Sequence, residues 1–181
     1  NNGLDLVELL TRDDVAIYNS IPTVEGALMM AIQNTDITLH GSKIIVLGLG
    51  RVGLTLARTL QALGVKVSVG VRRPEHFARA YEMNLTPFNS EELPDHVRDV
   101  DVVFNTVPSH IVSAKAIKQM PTHTVIIDLA SKPGGTDFSY AEKRGIKALL
   151  APSLPGLVAP KTAGKILAVT LSQMIHDQMN N

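Results

Sequence analysis

Short apolar runs alternate with amphipathic stretches along most of the chain, and this pattern predicts strands separated by helices. The predicted strands lie at about residues 43–47, 66–71, 85–88, 101–106, 124–129 and 146–150. The predicted helices between them lie at about residues 52–63, 74–84, 113–120 and 137–144. Another helix is predicted to start at Pro22 and Thr23 and end near Asn34, and a last one covers about 161–179. The prolines at 152, 155 and 160 predict an extended crossing.

The regular alternation of strands and helices determines the expected fold class. The strand at 101–106 is apolar enough to be covered on both faces. We therefore predict an α/β fold, a doubly wound parallel sheet with covering helices in the strand order 3-2-1-4-5-6 of a Rossmann fold. Residues 41–181 are expected to form this domain, and residues 1–40 a connector segment with a helix that packs on it.

The turn after the first predicted strand has the spacing Gly-x-Gly-x-x-Gly, at Gly48, Gly50 and Gly53. In dinucleotide-binding folds, the first glycine permits a tight turn, the second leaves room for a pyrophosphate, and the third lets the helix lie close to the strand. The helix N-terminus, with Arg51 and Val52, offers free N–H groups to phosphate. These five residues are predicted to bind a dinucleotide. The alternative is a tight turn without a ligand.

The end of the second predicted strand indicates which dinucleotide is bound. NAD enzymes usually place an acid there, about 20 residues after the first glycine, to hold the ribose 2′-OH. Val71 occupies that place, and Arg72 and Arg73 follow it. Guanidinium groups bind a 2′-phosphate that a carboxylate would repel. We therefore predict NADP(H), with NAD as a second choice. The alternative is that the two arginines form a solvated pair in a loop.

Residues at the carboxyl ends of the later strands are expected to complete the cleft, near the point where the strand order reverses. Thr106, Val107 and Pro108 follow the fourth strand and are expected on the ribose and adenine side. Ala130 and Ser131 follow the fifth strand and are expected to approach the nicotinamide. Small residues suit that position, because hydride transfer needs mainly orientation from the protein.

Three side chains near these strand ends are candidates for catalysis. Ser131 and Lys132 are placed to reach a substrate carboxylate or proton, and His110 is a candidate general acid or base. Each has a plainer alternative: Lys132 is a charge on a loop surface, and His110 is a solvated or capping side chain. The other histidines have no ligand spacing, so no metal site is predicted.

Composition and charge exclude several classes of protein. The 17 basic and 17 acidic residues give a formal net charge of zero, without a basic stripe for nucleic acid or a basic block for a membrane surface. Since the chain has no cysteine, it has no disulfide, thiol nucleophile or Cys-based zinc site. No apolar run is expected to approach the roughly 18–20 residues of a membrane span, and no signal peptide is predicted.

Several of these motifs together resemble the A-subunit family of bacterial dipicolinate synthase. The resemblance spans about residues 4–175, and its most specific motif lies at residues 153–164. The other motifs lie at residues 19–27, 48–53, 69–74, 105–108 and 128–131. The helix that begins at Pro22 also resembles the connector helix of alanine dehydrogenase and related two-domain enzymes.

The resemblance implies an oxidoreductase of dipicolinic acid biosynthesis, acting during sporulation in the cytoplasm of the mother cell. The implied reaction is the NADP-linked oxidation of a dihydro- or 4-hydroxytetrahydro-dipicolinate to dipicolinate. The implied partner is the flavoprotein-like second subunit, the B chain of the same synthase. Whether the chain also forms a homodimer is left undecided by the resemblance. The family has an additional N-terminal substrate domain, so we expect this chain alone to be inactive. The dianionic substrate adds Lys161, across the cleft, to Ser131 and Lys132 as candidate contacts.

Two other functions stay open at this point. The chain is either catalytic or a non-catalytic NADP-binding partner that stabilises the other subunit. It also shares its nucleotide half with NADP dehydrogenases of the shikimate or methylene-tetrahydrofolate type. Measuring NADPH formation without and with the partner subunit separates an enzyme from a binding module.

Overall fold

A six-stranded parallel sheet forms the centre of the molecule. Its strands lie in the order β3-β2-β1-β4-β5-β6, which confirms the predicted fold class and strand order. The strands are β1 (Lys43–Leu47), β2 (Lys66–Val71), β3 (Thr86–Asn89), β4 (Val102–Asn105), β5 (Val125–Asp128) and β6 (Lys147–Leu150).

The computed structural model describes residue 9 and residues 12–179. The first part of the predicted connector segment, residues 1–8 and 10–11, lies outside the described residues, as do the last two residues of the predicted 41–181 domain. The helices of the described part are α1 (Asp13–Asn34), α2 (Arg51–Ala62), α3 (Pro74–Glu82), α4 (Leu93–His96), α5 (Ala114–Gln119), α6 (Phe138–Lys143), α7 (Leu154–Val158) and α8 (Pro160–Met179).

Two hydrophobic cores cover the two faces of the sheet. Because successive side chains of a strand point to opposite faces, β1 supplies Val46 to one core and Leu47 to the other. Helices α1, α2 and α3 close the first core, where Leu56 is fully buried, and α4, α5 and α6 close the second around Ile117. Burial of each such side chain contributes roughly 1.5–3 kcal/mol. These cores hold the strand ends in fixed positions.

Helix α1 begins at Asp13, so the predicted start at Pro22 is wrong. Asp13 and Asp14 occupy its first turn, where carboxylates interact favourably with the helix dipole. Pro22 lies inside the helix, where it lacks an N–H to donate. The Thr23 hydroxyl supplies a donor to the backbone oxygen of Asn19 in the same turn, at 2.7 Å. Since Pro22 is buried, packing outweighs the local cost of the proline.

Helix α1 also corrects an expectation about membranes. It is 22 residues long with a hydropathy of 1.3 over its most apolar window, which is long and apolar enough to cross a membrane by length and composition. The expectation that no apolar run approaches that length is therefore wrong. Seven of its residues are buried, and it packs on α2, α7, α8 and β5. The core helix of a globular domain passes the same test.

The segment between β6 and α8 is helical over Leu154–Val158, so the predicted extended crossing is wrong there. Pro155 stands in the first turn of α7, where its missing N–H costs nothing. The buried side chain of Leu154 anchors the turn against α1, because a Cβ on Gly26 would lie only 3.0 Å from Leu154 Cβ. This contact holds α7 against α1.

Candidate dinucleotide site

The first glycine of the turn between β1 and α2 adopts a conformation that other residues avoid. Gly48 has φ +88°, and its N–H donates to the backbone oxygen of Gly70 at 2.9 Å. A Cβ there would lie 2.7 Å from Thr106 Oγ1 and 2.8 Å from Val107 Cγ2. Both the backbone angle and the neighbouring β4 loop therefore require glycine at this position.

The other two glycines of the turn have opposite surroundings. A Cβ on Gly53 would lie 2.1 Å from the backbone oxygen of Gly48, so α2 packs directly on the turn. A Cβ on Gly50 would meet no atom within 4 Å. Gly50 is the N-cap of α2 and provides no side-chain cap for the helix N–H groups. This open surface beside uncapped N–H groups fits a pyrophosphate, as the sequence predicts.

Arg51 and Val52 begin α2 on two different sides of the turn. The exposed Arg51 side chain forms an ion pair with Asp13 of α1, with 2.8 Å between Nη1 and Oδ1. It lines the cleft above the glycine turn, whereas Val52 lines a second pocket beyond the turn. The helix N-terminus thus stands between two cavities.

The cleft above the glycine turn has a volume of about 620 Å³, within the usual range for small-molecule sites. Val71 ends β2 as a buried residue, and the exposed Arg72 and Arg73 follow it at the rim. Arg73 lies 3.8 Å from Glu75, a weak surface pair. Among the described residues that line the cleft, Asp13 is the one acid. The further lining residues that the sequence predicts are Thr106, Val107 and Pro108.

The lining residues of this cleft that sequence reasoning missed include His76, Ser90 and Ile111. His76 follows the arginine pair on α3, and Ser90 begins the short 3-10 turn after β3. Ile111 belongs to the loop after β4. The sequence contains no spacing signal for them, because they approach the cleft only when β2, β3 and β4 are aligned in the sheet.

The second pocket lies beyond α2 and has a volume of about 510 Å³. Ala130, Ser131 and Lys132 line it from the loop after β5, together with Thr23 of α1. Ala130 is buried, whereas Ser131 and Lys132 are exposed. The structure therefore brings these three consecutive residues into one pocket with Thr23 of α1. Its remaining lining residues are Val52, Leu129, Ala151, Pro152, Ser153, Leu154 and Pro155.

The neighbourhood of Thr23 contains an acceptor that sequence reasoning did not single out. Asn19 lies one helical turn before Thr23 on α1. Its Oδ1 atom is buried, and no described residue donates a hydrogen bond to it. Thr23 and Asn19 belong to the motif at residues 19–27, but they are far from the strand ends in sequence, so the packing of α1 is what places them at this pocket.

His110 lies apart from Ser131 and Lys132. It is exposed and lines a third cavity of about 310 Å³, together with Arg72, Ser90 and Lys115. This cavity adjoins the arginine end of the main cleft, since Arg72 and Ser90 line both. Lys161, expected across the cleft, is exposed in the first turn of α8. The catalytic roles of these residues stay predictions.

The described residues also give two findings on metals and charge. No group of three or more His, Asp or Glu side chains among them is placed to hold a metal ion. The main cleft is lined by Arg51, Arg72 and Arg73 against Asp13 alone. This excess of positive charge fits a ligand with several phosphate charges.

The parallel sheet, the glycine turn and the cleft at the carboxyl ends of the strands define a dinucleotide-binding domain of the Rossmann type. Residues 23–132 match the family model described as D-isomer specific 2-hydroxyacid dehydrogenase, NAD binding domain, and the chain belongs to this family of oxidoreductase domains. Its cofactor class is therefore a nicotinamide dinucleotide. The match does not distinguish NADP from NAD.

The chain is also similar to the A subunit of dipicolinate synthase from Bacillus subtilis (strain 168), with 61% identity over 170 residues. These cover 94% of this chain and 57% of that protein. The crystal structure of dipicolinate synthase, A chain, from Bacillus subtilis matches with a TM-score of 0.96 and 59% identity over 98% of this chain and 60% of that one. The crystal structure of the A subunit from Bacillus halodurans matches with a TM-score of 0.92 and 60% identity, over 93% and 58%.

These similarities confirm the resemblance to the A subunit of dipicolinate synthase that the sequence motifs indicate. The chain spans less than two thirds of the length of these relatives.

Proposed function

We propose that the chain is the NADP(H)-binding part of the A subunit of a dipicolinate synthase, which oxidises a dihydro- or 4-hydroxytetrahydro-dipicolinate to dipicolinate during sporulation. The observation that carries the cofactor preference is the arginine rim of the main cleft. Val71 stands where a ribose-binding acid is usual, and Arg72 and Arg73 follow it. The name of the similar proteins supports the reaction, and their being one subunit of a synthase supports a partner chain.

The residues of this chain would hold the cofactor by its two halves. The N–H groups at the start of α2 would bind the pyrophosphate over Gly50, and Arg72 and Arg73 would bind the 2′-phosphate. Ala130 and Ser131 would lie beside the nicotinamide, in the second pocket. When bound, the oxidised nicotinamide supplies a hydride acceptor.

The side chains of the second pocket would orient the substrate. A dicarboxylate needs cationic and hydroxyl partners, and the Lys132 ammonium and the Ser131 hydroxyl line this pocket from one loop. Lys161 on α8 is the further candidate. Because aromatisation of the ring provides a strong driving force, the main task is to align the ring and accept one proton.

The cofactor preference is tested by titrating the chain with NADP+, NADPH, NAD+ and NADH. We expect tighter binding of NADP(H). Replacing Arg72 and Arg73 by alanine should cost NADP(H) binding roughly 1–3 kcal/mol per lost contact and leave NAD(H) binding nearly unchanged. Arg79→Ala is the matched control, since Arg79 is exposed on α3 and pairs with Glu82 at 3.1 Å. Equal dissociation constants for the two cofactors in the unmutated chain would contradict the proposal.

The activity is tested by following NADPH formation from NADP+ and a freshly generated dihydrodipicolinate precursor. We expect the 181-residue chain to bind the cofactor without turnover. Ser131 and Lys132 are exposed, so this chain alone would hold the substrate loosely, and a misplacement of the substrate by about 1 Å slows hydride transfer steeply. A full-length subunit with its partner should turn over. Steady NADPH production by this chain alone would contradict the expectation. A full-length subunit that is inactive with its partner would favour a non-catalytic binding role.

A further inference from the structure

We propose that Asn105 and Asp128 are positioning residues that fix the spacing between the loops after β4 and β5. The inference rests on the proposed dinucleotide site, because these two loops line its two pockets. Thr106, Val107 and Pro108 belong to the first loop. A dinucleotide that spans both pockets needs them at a constant separation.

The register of the sheet brings the two side chains together. Asn105 ends β4, Asp128 ends β5, and they are direct partners in the parallel ladder. Both residues are fully buried. Asn105 Nδ2 donates to Asp128 Oδ1 at 3.1 Å. A hydrogen bond between buried side chains thus joins the two strands at the point where both loops begin.

The Asp128 carboxylate shapes the loop after β5. Its Oδ1 also accepts the N–H of Ala130, at 3.0 Å. Its Oδ2 accepts the N–H of Gly135 at 2.9 Å and the hydroxyl of Thr136 at 2.6 Å. These bonds tie both ends of residues 130–136 to one buried group, so Ser131 and Lys132 project from a closed loop. A buried carboxylate with four donors is stable, because each bond to the charge offsets part of its desolvation.

The Asn105 amide shapes the loop after β4. Its Nδ2 donates to the backbone oxygen of Val107 at 2.9 Å, and its Oδ1 accepts the N–H of Val107 at 3.0 Å. Thr106 lies inside this small ring, and its hydroxyl donates to the backbone oxygen of Leu47 at 2.8 Å. Asn105 therefore holds the segment that lines the main cleft, while its amide also reaches Asp128.

Close backbone packing makes the two loops one unit. A Cβ on Gly135 would lie 2.4 Å from the backbone oxygen of Ser109 and 2.6 Å from Asn105 Nδ2. The N–H of Val112 donates to the backbone oxygen of Gly135 at 3.0 Å. The β5 loop therefore lies directly on the β4 loop, and neither is free to move without breaking the hydrogen bonds of Asn105 and Asp128.

The test compares a whole dinucleotide with its adenosine half. The dinucleotide is NADP+ or NAD+, whichever the unmutated chain binds more tightly, and its adenosine half is 2′,5′-ADP or 5′-ADP, respectively. The dissociation constant of each ligand is measured separately by calorimetry. Asp128→Asn places an amide against N–H and O–H donors but leaves the Asn105–Val107 ring intact. We expect this variant to weaken binding of the dinucleotide by about tenfold or more and binding of the adenosine half by less than about twofold.

Two more variants complete the design. Asn105→Ala removes both the ring around Val107 and the bond to Asp128, so it should weaken binding of both ligands, and binding of the dinucleotide by the larger factor. Thr136→Val removes a single donor to Asp128 and provides the test if Asp128→Asn does not fold. Thr136→Val should weaken binding of the dinucleotide by about threefold and leave binding of the adenosine half unchanged.

The matched control for a purely structural effect is Thr124→Val. Thr124 is fully buried just before β5, at the opposite end of the strand from Asp128, and its hydroxyl donates to the backbone oxygen of Val100 at 2.8 Å. This variant should lower the melting temperature without changing the dissociation constant of either ligand. The inference would be overturned if Asp128→Asn or Thr136→Val bound the dinucleotide as tightly as the unmutated chain does. It would also be overturned if these variants lost affinity for the dinucleotide and for the adenosine half by the same factor. Absence of dinucleotide binding to the unmutated chain would overturn the proposed function as well.

Discussion

The candidate dinucleotide site has two halves, the glycine turn after β1 and the pair of loops after β4 and β5, and they are built by different means. The half over the glycine turn is shaped by backbone, since Gly48, Gly50 and Gly53 determine where α2 lies and what space is left above it. The half at the ends of β4 and β5 is shaped by two buried side chains, Asn105 and Asp128. The first half needs the absence of side chains, and the second needs two particular ones.

This difference determines how each half responds to substitution. In the glycine turn, an added methyl group meets side chains of the β4 loop at Gly48, a backbone oxygen at Gly53 and open space at Gly50, so neighbouring positions have opposite sensitivities. In the loop pair, a change at one residue propagates through hydrogen bonds to the other loop, since Asn105 and Asp128 share donors and acceptors. Substitutions within the turn test the first half most directly.

The largest effect is expected from Gly53→Ala. The new Cβ would lie 2.1 Å from the backbone oxygen of Gly48 and 3.2 Å from Thr106 Oγ1, so the backbone of the turn would have to shift. The free energy of unfolding should fall by about 3 kcal/mol, as in severe overpacking. Urea unfolding followed by circular dichroism measures it. Gly50→Ala is the control and should lower stability by about 1 kcal/mol or less, because Gly50 is the N-cap of α2, where alanine is less favourable than glycine by about that amount. Equal stability of the two variants would show that the turn relaxes.

A smaller effect on stability but a large effect on binding is expected from Gly50→Val. No atom lies within 4 Å of a Cβ at this position, so the domain should stay folded. The branched side chain would occupy the space of the pyrophosphate, and both NADP(H) and NAD(H) should bind at least about 100-fold more weakly. Binding at the unmutated strength would show that the phosphates lie elsewhere. An unchanged melting temperature would separate lost binding from lost folding.

Most of the fold could be predicted from the chain because its signals are local. The predicted bounds of β1 and β2 are those of the structure, since apolar runs end at Gly48 and at the arginine pair. Two elements were wrong for the same reason. The sequence predicts that Pro22 starts a helix and that Pro155 lies in an extended segment, yet one is buried inside α1 and the other stands in the first turn of α7. Packing of these helices beside the cleft decided the outcome.

The candidate site could be predicted only in part. The glycine turn and the arginine pair each lie within a short stretch that directly follows a predicted strand, so spacing alone places them at the cleft. Lys132 and His110 both follow strand ends, but they line different pockets. Strand ends in a linear sequence carry no information about which side of the cleft their loops take.

The sequence by itself determined the class of this protein: its strand order, its glycine turn and the charge at the end of β2 follow from periodicity and from the few residues that a tight turn accepts. Only the tertiary structure decided how the rest of the cleft is held. Asn105 and Asp128 are ordinary polar residues at strand ends until the β4–β5 register makes them neighbours and burial removes water as an alternative partner. A hydrogen bond between residues distant in sequence acquires its strength from that shared burial, which no local pattern encodes.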